Sequence, residues 1–163
     1  MRIGIIADTH LKKHYSKLKA FLIENMKDVD MIIHAGDFTS PEVIEILKNH
    51  CKFEGVYGNN DGASIKEKVP EKIILSIEGY KIGVYHGHGE KKQTLDNVTN
   101  IFKDDKLNII IFGHSHKPAL FTKGNTLFLN PGSTTYKRKD PWFTYIILDL
   151  QKGEKINASL NLF

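Results

Sequence analysis

Cysteine is almost missing from this chain of 163 residues. Cys51 is the only one, so no internal disulfide can form and no C-x-x-C pair exists for a thiolate zinc site. Cys51 reads as a small buried hydrophobe. No apolar run is long enough to cross a bilayer, so no membrane span is expected. The first residues show no n-region, h-region and cleavage site; residues 1–7 read instead as a buried strand, and a cytoplasmic protein is expected. Low-complexity tracts, internal repeats and linkers are absent too. That leaves one compact domain over residues 1–163.

Charge of one sign is not concentrated either. Twenty-three Lys and Arg against nineteen Asp and Glu leave a formal net charge of +4. The excess favours anionic partners weakly. Because the lysines are dispersed, it describes a solvated surface and does not indicate nucleic acid as a partner.

What is present is an alternation of short apolar segments with helical ones, which argues for an α/β protein. Residues 2–7, 31–34 and 53–57 read as buried strands. Between them, residues 15–26 place Leu18, Phe21, Leu22 and Met26 on one helical face. Ser40-Pro41 opens a second helix through Val43, Ile44 and Leu47. The second half changes character. Residues 72–77 and 80–85 flank Glu78-Gly79 as a hairpin, and residues 119–122 and 126–129 flank Lys123-Gly124-Asn125 as another. Residues 91–104 read as a helix, and residues 107–112, 142–150 and 156–163 as strands. Two mixed sheets packed face to face with helices outside are expected.

Five short segments carry the chemistry, each after an apolar run: Asp8-Thr9-His10, Gly36-Asp37, Gly58-Asn59-Asn60-Asp61, His86 and Gly113-His114-Ser115-His116. Imidazole and carboxylate donors suit Mn²⁺, Fe²⁺, Ni²⁺, Co²⁺ and Zn²⁺, and no thiolate biases the set towards softer ions. Asp-x-His alone arises by chance in many proteins; the ordered set does not.

In that order the segments resemble the calcineurin-like metallophosphoesterase superfamily, with its D-x-H, G-D, G-N-H-[DE], H and G-H-x-H pattern. The small size, the Asn59-Asn60-Asp61 variant and Asn130-Pro131-Gly132-Ser133 are similar to the YfcE-like phosphodiesterases, whose fold the retromer's phosphoesterase-like subunit shares. The resemblance implies a four-layer α-β-β-α sandwich with two divalent transition metals, Mn²⁺ or Ni²⁺ before Co²⁺, Fe²⁺ or Zn²⁺. It assigns Asp8, His10, Asp37 and His116 to one ion and Asp37, Asn59, His86 and His114 to the other, with Asp37 bridging. The activity it implies is hydrolysis of a small phosphodiester by in-line attack of a hydroxide held between the metals. Three alternatives stay open: a phosphomonoesterase, a dinucleoside polyphosphate hydrolase, and a protein-interaction scaffold like the retromer subunit. A homo-oligomer is left open as well.

One position departs from the pattern. Asn60 stands where most of the superfamily has a histidine that contacts the phosphoryl oxygen or protonates the leaving group. An amide can donate a hydrogen bond but not a proton at neutral pH. His88 is the candidate replacement donor, with an outlying or exposed place as the alternative. Asp61 is read as orienting a neighbouring ligand or loop, or else as turning the chain with Gly62. His34 is read as a buried histidine beside the ligands, and Ser133 as a residue of a loop near them. Tyr136-Lys137-Arg138-Lys139 with Trp142 form either a substrate rim or a solvated hairpin loop.

Overall fold

The computed structural model describes residues 1–136 and 141–163. Lys137, Arg138 and Lys139, three of the rim candidates, lie outside the described residues. Four helices occur among the described residues: α1 (Ser16–Asn25), α2 (Pro41–His50), α3 (Ala63–Lys66) and α4 (Thr94–Ile101). None is long and apolar enough to cross a membrane.

One sheet contains β1 (Arg2–Ile6), β2 (Met31–His34), β3 (Lys52–Gly55), β9 (Thr144–Asp149) and β10 (Asn157–Leu162), in the order β10-β9-β1-β2-β3. Strands β1, β2 and β3 run parallel, with Ile3 opposite Met31 and Ile32 opposite Phe53. The other sheet contains β4 (Lys72–Ile77), β5 (Tyr80–Tyr85), β6 (Ile109–Ile111), β7 (Ala119–Lys123) and β8 (Thr126–Asn130), in the order β4-β5-β6-β8-β7. Here β5, β6 and β8 are parallel, and β4 and β7 close the edges as antiparallel hairpin arms. Both hairpins expected from the sequence are present.

Alternation of side chains decides the layering. Ile3 and Ile5 of β1 and Met31 and Ile33 of β2 meet Ile82, Val84, Ile109, Ile111 and Leu129 of the second sheet, forming a core between the sheets. The opposite face of the first sheet packs Ile6 and Ile32 against Leu18, Leu22, Val43, Ile44 and Leu47 of α1 and α2. Tyr85, Ile110 and Phe128 pack against Val98 and Phe102 on the far side of the second sheet. The fold is therefore an α-β-β-α sandwich. Strands covered on both faces cannot alternate polar with apolar residues, which is why they read as continuous hydrophobic runs.

Local differences from the sequence expectations have local causes. β3 ends at Gly55 because the chain then leaves the sheet: Tyr57 N–H donates to the carbonyl of Pro70 at 2.9 Å. Helix α3 was not expected, since four residues are too few to show a helical period. Helix α4 is shorter than residues 91–104 because Asn97 draws the preceding chain into a loop, accepting from Lys91 N–H at 2.9 Å. Ser40 stands at the N-cap position of α2, but its hydroxyl donates to the Glu42 carboxylate instead of capping.

The arrangement has one consequence for function. The C-terminal ends of the parallel strands β1, β2, β3, β5, β6 and β8 lie at the same edge of the sandwich, where α/β folds commonly gather ligand-binding loops. The five chemistry-bearing segments and Asn130–Ser133 follow those strand ends.

Candidate metal centre

The loop after β1 carries Asp8 and His10, and the loop after β2 carries Asp37. These loops are laced together: Asp8 N–H donates to Gly36 O at 2.9 Å and His10 N–H to Asp37 O at 3.0 Å. The backbone is strained where the donors sit. Asp8, His10, Asp37, His114 and His116 all have φ between 46° and 67°. Left-handed backbone costs a non-glycine residue roughly 1–2 kcal/mol. Five such residues in one place need a strong external constraint, and strain of this kind gathers at functional sites.

Asp61 supplies much of the constraint. Its buried carboxylate accepts three backbone N–H bonds, from Asp37 at 2.9 Å, Gly58 at 2.8 Å and Thr39 at 2.7 Å. It thus binds the Asp37 loop to the Asn59 loop. Gly58 and Gly36 are glycine for steric reasons. A Cβ at Gly58 would fall 2.2 Å from Asp37 Oδ1, and one at Gly36 would fall 2.6 Å from His86 Nδ1. Gly58→Ala is expected to weaken metal binding through displaced Asp37 while leaving the thermal unfolding cooperative; metal titration of the variant checks this.

The donor atoms converge. His10 Nε2 lies 3.2 Å from His116 Nε2, and Asp8 Oδ1 lies 3.3 Å from His116 Nε2 and 3.7 Å from His10 Nε2. Asp37 Oδ2 lies 3.5 Å from His10 Nε2 and 3.3 Å from His86 Nε2. Asp8, His10 and His116 form one group able to hold a metal ion, and Asp8, Asp37 and His86 form another, each with its ligand atoms within 4.8 Å. Ligands ~2.0–2.2 Å from one ion lie about 3–3.5 Å from each other, so the spacing fits shared coordination. Asp8 Oδ1 and His86 Nε2 are buried and make no hydrogen bond among the described residues, a costly state that a cation between them would relieve. The residues present therefore fit divalent metal.

Both carboxylates stand between the histidines. The resemblance made Asp37 the shared ligand, whereas Asp8 Oδ1 belongs to both groups and is 4.0 Å from His86 Nε2. Asn59 and His114 are joined at 3.0 Å through Oδ1 and Nδ1, and the His114 ring is 5.2 Å from that of His86. Burial by itself would raise the Asp37 carboxyl. The His86 imidazole, with its Nε2 3.3 Å away, and the Asn60 hydrogen bonds outweigh it and hold the group well below the usual carboxylate range.

The remaining candidates surround this centre. Asn60 donates to Asp37 twice, N–H to Oδ1 at 2.9 Å and Nδ2 to Oδ2 at 2.7 Å. His88 has its ring 5.6 Å from that of His86, with Nε2 3.6 Å from Glu71. Ser133 Oγ donates to the carbonyl of Asp8 at 2.7 Å and so anchors the first ligand loop. Two further side chains hold the ligand loops in place. Asn130 donates to Gly113 O at 2.9 Å and Ser115 Oγ at 3.1 Å, pinning the His114–His116 loop. Asn97 donates to Gly87 O at 3.2 Å and fixes the chain after His86. The Asn130-Pro131-Gly132-Ser133 segment marks Asn130 in the sequence without showing what it bonds, whereas a single Asn within α4 marks nothing.

His34 is fully buried. Its Nδ1 accepts from Gly36 N–H at 3.1 Å, its Nε2 is 3.2 Å from Thr9 Oγ1, and its ring stacks on Phe38 at 3.8 Å. Burial first, and the His86 charge next, hold the imidazole well below its ordinary value. His34 thus stays neutral in the folded protein while the unfolded chain binds a proton below about pH 6.5. Its stabilising contribution is complete above that pH and is lost as pH falls, by up to about 1.4 kcal/mol per pH unit. Urea unfolding of metal-free protein between pH 7.5 and 5.5 should show a shallower pH slope for His34→Asn than for the natural chain.

An open pocket of about 380 Å³ lies over the His10 side, lined by His10, Lys12, Thr39, Asn60 and Tyr136. Trp142, a rim candidate, is exposed and does not line it. A larger pocket, about 570 Å³, lies between the β7–β8 hairpin and β10, with no ionisable side chain in its lining among the described residues.

Residues 1–153 match the calcineurin-like phosphoesterase superfamily domain. The chain is 32% identical to phosphodiesterase MJ0936 of Methanocaldococcus jannaschii, over 94% of this chain and 96% of that protein. It superposes on the structure of a novel archaeal phosphodiesterase with a TM-score of 0.78 and 28% identity, covering all of both chains. The zinc complex of wild-type Vps29 from Entamoeba histolytica gives a TM-score of 0.77 at 21% identity over 99% of each chain, a likeness of fold.

Proposed function

We propose that this chain, which belongs to the calcineurin-like phosphoesterase superfamily, is a binuclear metal-dependent phosphodiesterase acting on small diesters. The observation that carries the reading is the convergence of Asp8, Asp37, His10, His86 and His116 donor atoms at 3.2–4.0 Å in two groups that share a carboxylate. Support for diester chemistry comes from the phosphodiesterase relative at 32% identity.

Two divalent ions bound there would supply the Lewis acidity that acidifies an attacking water and neutralises charge on the phosphoryl oxygens. The protein's own part is fixed by its donors. Two carboxylates against two dications leave a net positive centre, which attracts an anionic phosphodiester. Asp61 and Asn60 keep Asp37 oriented, so little reorganisation is needed when charge develops. In the net reaction water adds to phosphorus, one P–O ester bond breaks, and the leaving oxygen takes a proton.

The deciding experiment is a matrix of metals against substrates on stripped protein. Mn²⁺, Ni²⁺ or Co²⁺ should restore turnover better than Mg²⁺, which prefers all-oxygen coordination. Aryl phosphodiesters should be cleaved faster than the matching monoesters. Full turnover by demonstrably metal-free protein would overturn the metal mechanism. A monoester preference would replace the diester reading with the phosphomonoesterase one. A scaffold would bind ions and hydrolyse nothing in any arm.

A further inference from the structure

We infer that Tyr136 and Lys12 form a nucleotide subsite beside the metal centre, in which Tyr136 stacks on the base and Lys12 neutralises phosphate. The inference rests on the proposed diester chemistry and names the class of substrate it serves. Tyr136 is half exposed, so part of its ring is open to solvent. Its centroid lies 5.2 Å from that of His10 and 5.9 Å from that of His116, and those two rings stack on each other at 5.0 Å. Its backbone N–H donates to Ser133 Oγ at 3.0 Å, and the same hydroxyl holds the carbonyl of Asp8. The backbone of residue 136 is therefore tied to the loop that carries Asp8, and its ring lies beside two metal ligands, where a stacking platform must be if a phosphate is to sit on the metals at the same time.

The composition of the pocket narrows the ligand. Its volume of about 380 Å³ is at the small end of ligand pockets, ~300–1,000 Å³. Among the described residues, none that lines it is aliphatic, which disfavours an acyl or alkyl group. None is acidic, and Lys12 brings a positive charge on the exposed segment after His10. An aromatic ring, an ammonium, and the amide and hydroxyl of Asn60 and Thr39 suit a flat heteroaromatic base joined to a phosphate. Base-on-ring stacking is sequence-tolerant and worth roughly a five- to hundredfold change in affinity.

Calorimetric titration of the Mn²⁺-loaded protein with adenosine 5′-monophosphate and with ribose 5-phosphate isolates the base, because the two ligands share phosphate and sugar. The nucleotide should bind at least about fivefold tighter. Tyr136→Leu should erase that ratio, Tyr136→Phe should retain it, and Lys12→Ala should weaken both ligands alike. Equal affinities for the natural protein, no binding of either ligand, or an unchanged ratio in Tyr136→Leu would overturn the subsite. Thermal unfolding of each variant excludes loss of fold as the cause. The readout is binding, so a protein that cleaves no diester but keeps the ratio would refute the proposed hydrolysis and leave the nucleotide subsite standing.

Discussion

Asp37→Ala should lose at least one of two bound metal ions and roughly a thousandfold in turnover of an aryl diester. The carboxylate has its Oδ2 within 3.5 Å of both His10 and His86 and bears two Asn60 hydrogen bonds, so its removal empties the middle of the centre. Lewis-acid stabilisation is worth several kcal/mol, and each ~1.4 kcal/mol is tenfold in rate. Asp8→Ala should behave comparably, because Asp8 Oδ1 belongs to both ligand groups. Removing a histidine of one group, as in His116→Ala, should cost less metal than either. Elemental analysis after gel filtration, beside initial rates, tests the ordering. An Asp37→Ala protein that kept two ions and a near-normal rate would show that Asp37 is not shared. If Asp8→Ala alone emptied both positions, Asp8 would be the bridge.

The parts of this molecule that were legible in the sequence share a physical origin. Ile3 to Ile6, Met31 to Ile33 and Ile109 to Ile111 are apolar without interruption because both faces of each strand are covered. Both hairpins were legible because turn residues at Glu78-Gly79 and Lys123-Gly124-Asn125 require backbone that glycine tolerates, and Gly79 and Gly124 do have positive φ. The ligand segments could be found because each follows a strand end. Their grouping could not be derived locally. His10 and His116 are 106 positions apart, and Ser133 and Asp8 are 125 apart. Such contacts leave no periodicity and no spacing rule. The same is true of Asp61, whose three accepted N–H bonds appear in the sequence only as an acidic residue after two asparagines. The pocket over His10 joins residues 12, 39, 60 and 136 and became visible only in three dimensions.

Asn60→His should accelerate cleavage of diesters with poor leaving groups by up to about a hundredfold and leave good leaving groups nearly unchanged. The natural side chain sits at the centre, with its amide nitrogen 2.7 Å from Asp37 Oδ2, yet a carboxamide has no proton to give at neutral pH. Without an acid, departure of the leaving oxygen should depend steeply on its basicity. Activated aryl diesters should then far outrun nucleoside or alkyl diesters. His88 is a poor substitute as placed. Burial first, and the His86 charge next, pull its imidazole below the ordinary value, with Glu71 opposing, so it favours the neutral form. An imidazole at position 60 would restore a donor beside Asp37, provided its ring reaches the phosphoryl group without displacing Asn59. A series of aryl phosphodiesters of graded leaving-group pKa, run on both proteins at measured metal occupancy, gives the two slopes. The natural chain should give the steep slope and Asn60→His the shallow one. A shallow slope in the natural chain would mean that another group already supplies the proton. His88→Ala then decides between sources: a slope that steepens identifies His88, and one that stays shallow assigns the proton to water at the metal centre.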